Sequence, residues 1–105
     1  MRLLGSAPTL VAAVIPGGGV VSGTVDRLLV RDDHILVADF KTGRHVPATV
    51  EEVPSSHLRQ MAVYRAALQA IFPDRPVEAA LLYTGGPTLY RLPGMLLDLH
   101  LPGGG

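Results

Sequence analysis

Aliphatic and β-branched residues gather in five short stretches of this chain, and in a sixth they recur at helical spacing instead. Thr9 to Ile15 reads as a strand, turned by Pro16-Gly17-Gly18-Gly19 into a second strand from Val20 to Val30. Arg31-Asp32-Asp33-His34 is polar and turn-like, and Ile35 to Lys41 follows as a third strand. Behind Pro54, with Ser55 and Ser56 as a start signal, Leu58, Met61, Ala62, Leu68, Ile71 and Phe72 form one helical stripe until Pro73 stops the run. Val77 to Thr84 and Thr88 to Leu92 read as two further strands around Gly85-Gly86-Pro87, and Pro93 begins a short helical turn through Met95, Leu96 and Leu97. Five strands with one long helix predict an α/β (α+β) layer with a mixed sheet. The core of this single domain is expected to run from about residue 9 to 99, with a disordered tail from Pro102 to Gly105.

A hairpin centred on Asp32-Asp33 sets Asp26 opposite Asp39, Leu28 opposite Val37 and Val30 opposite Ile35 on one face. On the other face it pairs Leu29 with Leu36 and Val25 with Phe40. Opposed residues on antiparallel strands have Cβ atoms about 4.5–5.5 Å apart, so the two carboxylates repel. Three arrangements relieve that repulsion: a shared proton, a salt bridge to Lys41 or Arg27, or a divalent cation. Lys41 lies two residues beyond Asp39 on the same face, whereas Arg27 points away from Asp26.

Composition adds weight to Lys41, which is the single lysine of a chain whose other basic side chains are all arginine, histidine apart. A lysine at a strand end is ordinarily a solvated edge residue. Beside Asp39 it also supplies what a planar guanidinium does badly, a compact and deprotonatable point charge. Hard oxygen ligands in a chain with no cysteine favour Mg²⁺ or Mn²⁺ over zinc, and a magnesium site takes one or two carboxylates with water and a phosphate. Two carboxylates and a lysine outline a phosphodiester hydrolysis site, in which the amine orients or deprotonates the attacking water.

Gly23-Thr24-Val25-Asp26-Arg27-Leu28, Val37-Ala38-Asp39-Phe40-Lys41-Thr42 and the helical Gln60-Met61-Ala62-Val63-Tyr64-Arg65 together resemble the three signatures of RecB-type nucleases in the PD-(D/E)XK superfamily. The flanking text, Pro47-Ala48-Thr49 through Val53-Pro54 and Arg75-Pro76-Val77 through Tyr83-Thr84, is most similar to the C-terminal nuclease domain of bacterial AddA-type helicase–nuclease subunits. The resemblance spans roughly Val20 to Leu99, and it implies a restriction-endonuclease-like fold acting as a metal-dependent DNA exonuclease in double-strand break repair and recombination. It further implies that Asp26, Asp39 and the Phe40 backbone carbonyl hold Mg²⁺ or Mn²⁺ and that Lys41 positions the attacking water. Gln60 and Tyr64 would contact the DNA strand or order the site. Independently of the resemblance, Arg44 and His45 in the polar loop after Lys41 are placed either to meet phosphate or to be simply solvated. Read from spacing alone, Gln60 and Tyr64 are merely four apart on one helical face, compatible with a solvated amide and a core aromatic.

Family members carry a further helix before the strands, and there is almost no room for it ahead of Thr9, so the chain is expected to be an N-terminally truncated domain that works with a helicase body and a second subunit. Formal net charge is zero with pI near 6.9, which argues for a single strand delivered by the helicase rather than tight autonomous DNA binding. With no cysteine there is neither an Fe–S cluster nor a disulfide. No GxxxxGK[ST] phosphate loop is present, so no ATP site is expected. Pro8 and Pro16 interrupt the apolar start, which has only Arg2 as a basic residue, so neither a signal peptide nor a membrane span is expected and a cytoplasmic location is the default. One helix covers one sheet face, which leaves the other for a partner. From a different class comes an alternative, a catalytically inactive nuclease-like fragment that serves a helicase complex as an interaction module.

Overall fold

A computed structural model describes residues 2–3, 9–14 and 19–101. Most of the Pro16-to-Gly19 turn and the whole tail from Pro102 lie outside the described residues. Strands β1 (Arg2–Leu3), β2 (Thr9–Val14), β3 (Val20–Val25), β4 (Arg27–Val30) and β5 (Ile35–Lys41) precede helix α1 (Ser55–Ile71). Strands β6 (Val77–Tyr83) and β7 (Thr88–Leu92) and helix α2 (Gly94–His100) follow it. A mixed five-stranded sheet runs β1-β4-β5-β6-β7, and β2 and β3 form a separate two-stranded sheet.

The hairpin register expected around Asp32-Asp33 holds, with Leu28 opposite Val37, Leu29 opposite Leu36 and Val30 opposite Ile35. The single strand expected from Val20 to Val30 does not. The ladder with β5 ends at the pair Arg27 and Ala38, Asp26 is a bend, and Val25 pairs with Thr9 of β2 rather than with Phe40. The reason is a change of phase. In β3 the inward positions include Val25, and in β4 they include Leu28, three residues later, so the bend at Asp26 carries both side chains into the core.

Strands β5 and β6 are parallel, from Ile35 beside Val77 to Lys41 beside Tyr83. A parallel pair needs a long crossover, and α1 is that crossover. It buries Leu58, Met61, Ala62, Ala66, Ala67 and Leu68. The three alanines let the helix lie close on the sheet, whereas Ile71, expected in the buried stripe, is 44% exposed at the last turn. The covered face carries Val37, Asp39, Ala79, Leu81 and Tyr83, all buried. On the opposite face Phe40 and Leu89 are exposed, as anticipated for a sheet with one long helix. Helix α2 buries Leu97 and is tied to α1 by the Arg65–Asp98 ion pair at 3.0 Å.

The loop after β5 is pinned from both sides. Thr84 N–H donates to the Lys41 carbonyl at 3.0 Å, and the Tyr90 hydroxyl donates to the carbonyl of buried Pro47. Gly85 sits so close to Gly43 that a Cβ there would fall 2.2 Å from the Gly43 carbonyl oxygen. This holds the C-terminal end of β5 still where the polar residues gather.

Leu81 is fully buried on the central strand beneath α1. Leu81→Ala is expected to lower stability by about 2–5 kcal/mol, seen as a lower urea midpoint at unchanged slope.

Candidate functional site

Asp39 is 7% exposed and is the one buried charged residue among the described residues. The alternation of β5 points it under α1, together with Lys41, and the chain leaves the sheet immediately afterwards. Lys41 Nζ is 2.8 Å from Asp39 Oδ2 and donates to Gln60 Oε1 at 2.7 Å. A helix residue therefore fixes the amine from above while a strand residue fixes it from below.

Asp26 reaches the same place from the bend between β3 and β4. Its Oδ2 accepts the Phe40 N–H at 2.8 Å, filling the rung that the interrupted strand leaves vacant. Peptide groups alternate along a strand, and the Lys41 carbonyl points to β6, where it accepts from Thr84. The Phe40 carbonyl therefore faces the same side as the Phe40 N–H, towards Asp26. Its ring lies on the other face under the Arg27 guanidinium, 5.6 Å from the ring centre.

The two carboxyls are close enough for a hydrogen bond between them to shift their pKa values in opposite directions. Burial, and then the bond to Asp26, hold Asp39 above the usual carboxylate range despite Lys41. The bond from Asp39 and that from the Phe40 N–H hold Asp26 below it. This is the behaviour of two acids forced together, in which one retains its proton more strongly. One of the three ways of relieving the repulsion, the Lys41 salt bridge, is in place, and the raised pKa of Asp39 runs in the direction that a shared proton requires. The donor set also fits the third: two carboxylates and one backbone carbonyl are hard oxygens suited to Mg²⁺ or Mn²⁺. No group of three or more His, Cys, Asp or Glu side chains that could hold a metal ion occurs among the described residues, so the side-chain ligands of this site are two aspartates only.

Gln60 is brought to the centre of the site and Tyr64 to its edge, where the hydroxyl donates to the Thr24 carbonyl at 3.5 Å. Arg44 is not brought in. It is exposed in the loop beyond β5, outside the hydrogen-bonded chain of Asp39, Lys41 and Gln60.

Sequence reasoning missed His57, one helical turn before Gln60. Its Nδ1 lies 3.0 Å from the hydroxyl of Tyr83, the residue beside Lys41 in the parallel ladder. Burial and then the nearby Lys41 charge depress the His57 pKa. The signal was available in outline, since 57, 60 and 64 share one helical face. A second cleft, lined by Arg65, Glu78, Arg91 and Gly94, lies at the opposite end of β6, with its charges already paired: Arg65 with Asp98, and Arg91 with Glu78.

A profile of the PD-(D/E)XK nuclease superfamily matches residues 3–95. The chain belongs to that superfamily. Its α+β architecture is accordingly the restriction-endonuclease-like one, and superfamily members are nucleases that generally use divalent metal ions. No curated protein matches the chain. Among solved structures, the crystal structure of SSO0001 superposes with a TM-score of 0.56 at 19% identity. The match covers 93% of this chain and 47% of that one, so this chain spans about half of SSO0001 and shares its fold. No helix among the described residues is long and apolar enough to cross a membrane.

Two measurements probe the electrostatics of the site. Asp26→Asn keeps an acceptor for the Phe40 N–H but removes one of two like charges. Asp26 is held below the usual carboxylate range, so its ionised form stabilises the folded chain, and in chelator at pH 8 the substitution is expected to lower the melting temperature; an unchanged one would show that this carboxylate contributes nothing to the fold. His57 has a folded pKa below its unfolded value of 6.5, so the unfolded chain binds the extra proton and stability falls as pH drops below 6.5. His57→Gln is expected to flatten that fall in urea titrations at stepped pH.

Proposed function

We propose that the chain is the metal-dependent exonuclease part of an AddA-type helicase–nuclease that acts on DNA in double-strand break repair and recombination. One observation carries the chemical half of this reading: the carboxyls of Asp26 and Asp39 meet at the end of β5, with an ammonium held beside them by Gln60. The biological half is supported by the three spaced motifs and the text around them. A protein of zero net charge is poorly equipped to capture DNA unaided, which suits a strand fed by a motor.

Asp26, Asp39 and the Phe40 carbonyl are the groups that would hold the ion. When bound, a divalent cation polarises the scissile phosphate and lowers the pKa of a coordinated water. Lys41, fixed on two sides, would orient the attacking water and offset the negative charge that develops on the phosphate. Gln60 keeps Lys41 aimed, and burial beneath α1 keeps bulk water from screening these charges.

A second reading, the inactive nuclease-like module bound to a helicase, draws on the exposed Phe40 and Leu89 of the uncovered sheet face. Calorimetric Mn²⁺ titration separates the two. A nuclease binds the ion and loses it in Asp26→Asn, whereas a module kept for association gives the same titration with or without Asp26.

With Mg²⁺ or Mn²⁺ present, linear single-stranded DNA is expected to be degraded, and Asp39→Ala or Lys41→Ala to slow the reaction by at least about 100-fold at equal stability. Degradation that survives either substitution removes that residue from the mechanism.

A further inference from the structure

Gly23 lies in the interior of β3, where glycine is costlier than alanine by about 0.5–1 kcal/mol. Its backbone does not require glycine, because Gly43 is the one glycine with positive φ among the described residues. Space is the reason instead. A Cβ at position 23 would lie 2.6 Å from the Tyr64 hydroxyl oxygen and 2.8 Å from Cε1. The aromatic ring of α1 therefore rests directly on the backbone of β3, and its hydroxyl reaches the carbonyl of the next residue, Thr24.

Three residues further on is Asp26. Among the described residues no ladder partner fixes it, since pairing with β5 begins only at Arg27. Its place is set on one side by its bond to Phe40 N–H and on the other by the seating of β3, through Val25, which is fully buried. A shift of β3 away from α1 would draw the Asp26 carboxyl away from Asp39.

We propose that Gly23 and Tyr64 form a positioning pair that seats β3 against α1 and thereby holds Asp26 in place for a divalent cation. Tyr64 then acts on cation affinity through the strand rather than by touching the nucleic acid. This rests on the reading of Asp26 and Asp39 as the cation site.

The test is calorimetric Mn²⁺ titration of the full chain and of Gly23→Ala, Tyr64→Phe, Tyr64→Ala and the double variant Gly23→Ala/Tyr64→Ala, with urea unfolding as the fold control. Gly23→Ala and Tyr64→Ala are each expected to weaken binding by about tenfold, the lower end for residues that support metal ligands. Removing the ring relieves the clash, so the double variant should bind no more weakly than Tyr64→Ala. Tyr64→Phe, which keeps the ring, should lose less than Tyr64→Ala. The proposal is overturned if Gly23→Ala binds as the wild type does, or if the two losses multiply in the double variant. Should Gly23→Ala not fold, the two Tyr64 variants decide alone: wild-type Mn²⁺ affinity in Tyr64→Ala, with cleavage lost in Tyr64→Phe, would place the hydroxyl on the substrate. A wild-type chain that binds no Mn²⁺, or one whose titration ignores Asp26→Asn, instead sinks the nuclease reading beneath the proposal.

Discussion

The break between β3 and β4 is the constraint on which the site depends. A strand that continued through Asp26 would satisfy Phe40 with backbone and point the Asp26 side chain by simple alternation. Because pairing stops at Arg27, the Phe40 N–H is left for the Asp26 carboxylate. That bond does two things at once. It supplies the partner that a peptide group near the sheet interior needs, and it anchors an acid next to Asp39 despite their like charge. The energy that tolerates the acidic pair thus comes partly from the backbone group the break sets free.

Much of the frame was legible because it is periodic or punctuated. The Asp32-Asp33 turn fixed the register of β4 on β5, and Pro54 and Pro73 bracketed α1. The bend at Asp26 was not legible as a break. No glycine or proline marks it, and both halves are β-branched and aliphatic, so one strand was the economical reading. Its trace in the sequence is the spacing of Val25 and Leu28, which bury together only if the alternation slips between them. Likewise, the exposed Ile71 belongs to a helix end where the sheet no longer lies beneath it, a tertiary fact that local spacing does not carry.

The functional residues divide the same way. Asp39 and Lys41 stood out through chemistry at alternate positions of one strand, and Gln60 required a motif to single it out. Gly23 lies within the first signature without any stated role, and His57 lies outside all three. A glycine in a strand and a histidine near a helix start are both common, and each gains meaning only from what α1 sets against it, Tyr64 in one case and Tyr83 in the other.

Lys41 links these observations. It is the counter-charge of Asp39, at a site too buried for water to do that job well. An ion held by the two aspartates, as proposed above, would take over that role, and an ammonium with no other partner would then be repelled from the place where it is needed. Gln60 would prevent this, because a neutral amide oxygen keeps its hold on Nζ whatever the charge state of the carboxylates. The helix thus supplies what the strand cannot, a partner for the amine that does not compete for the metal's charge.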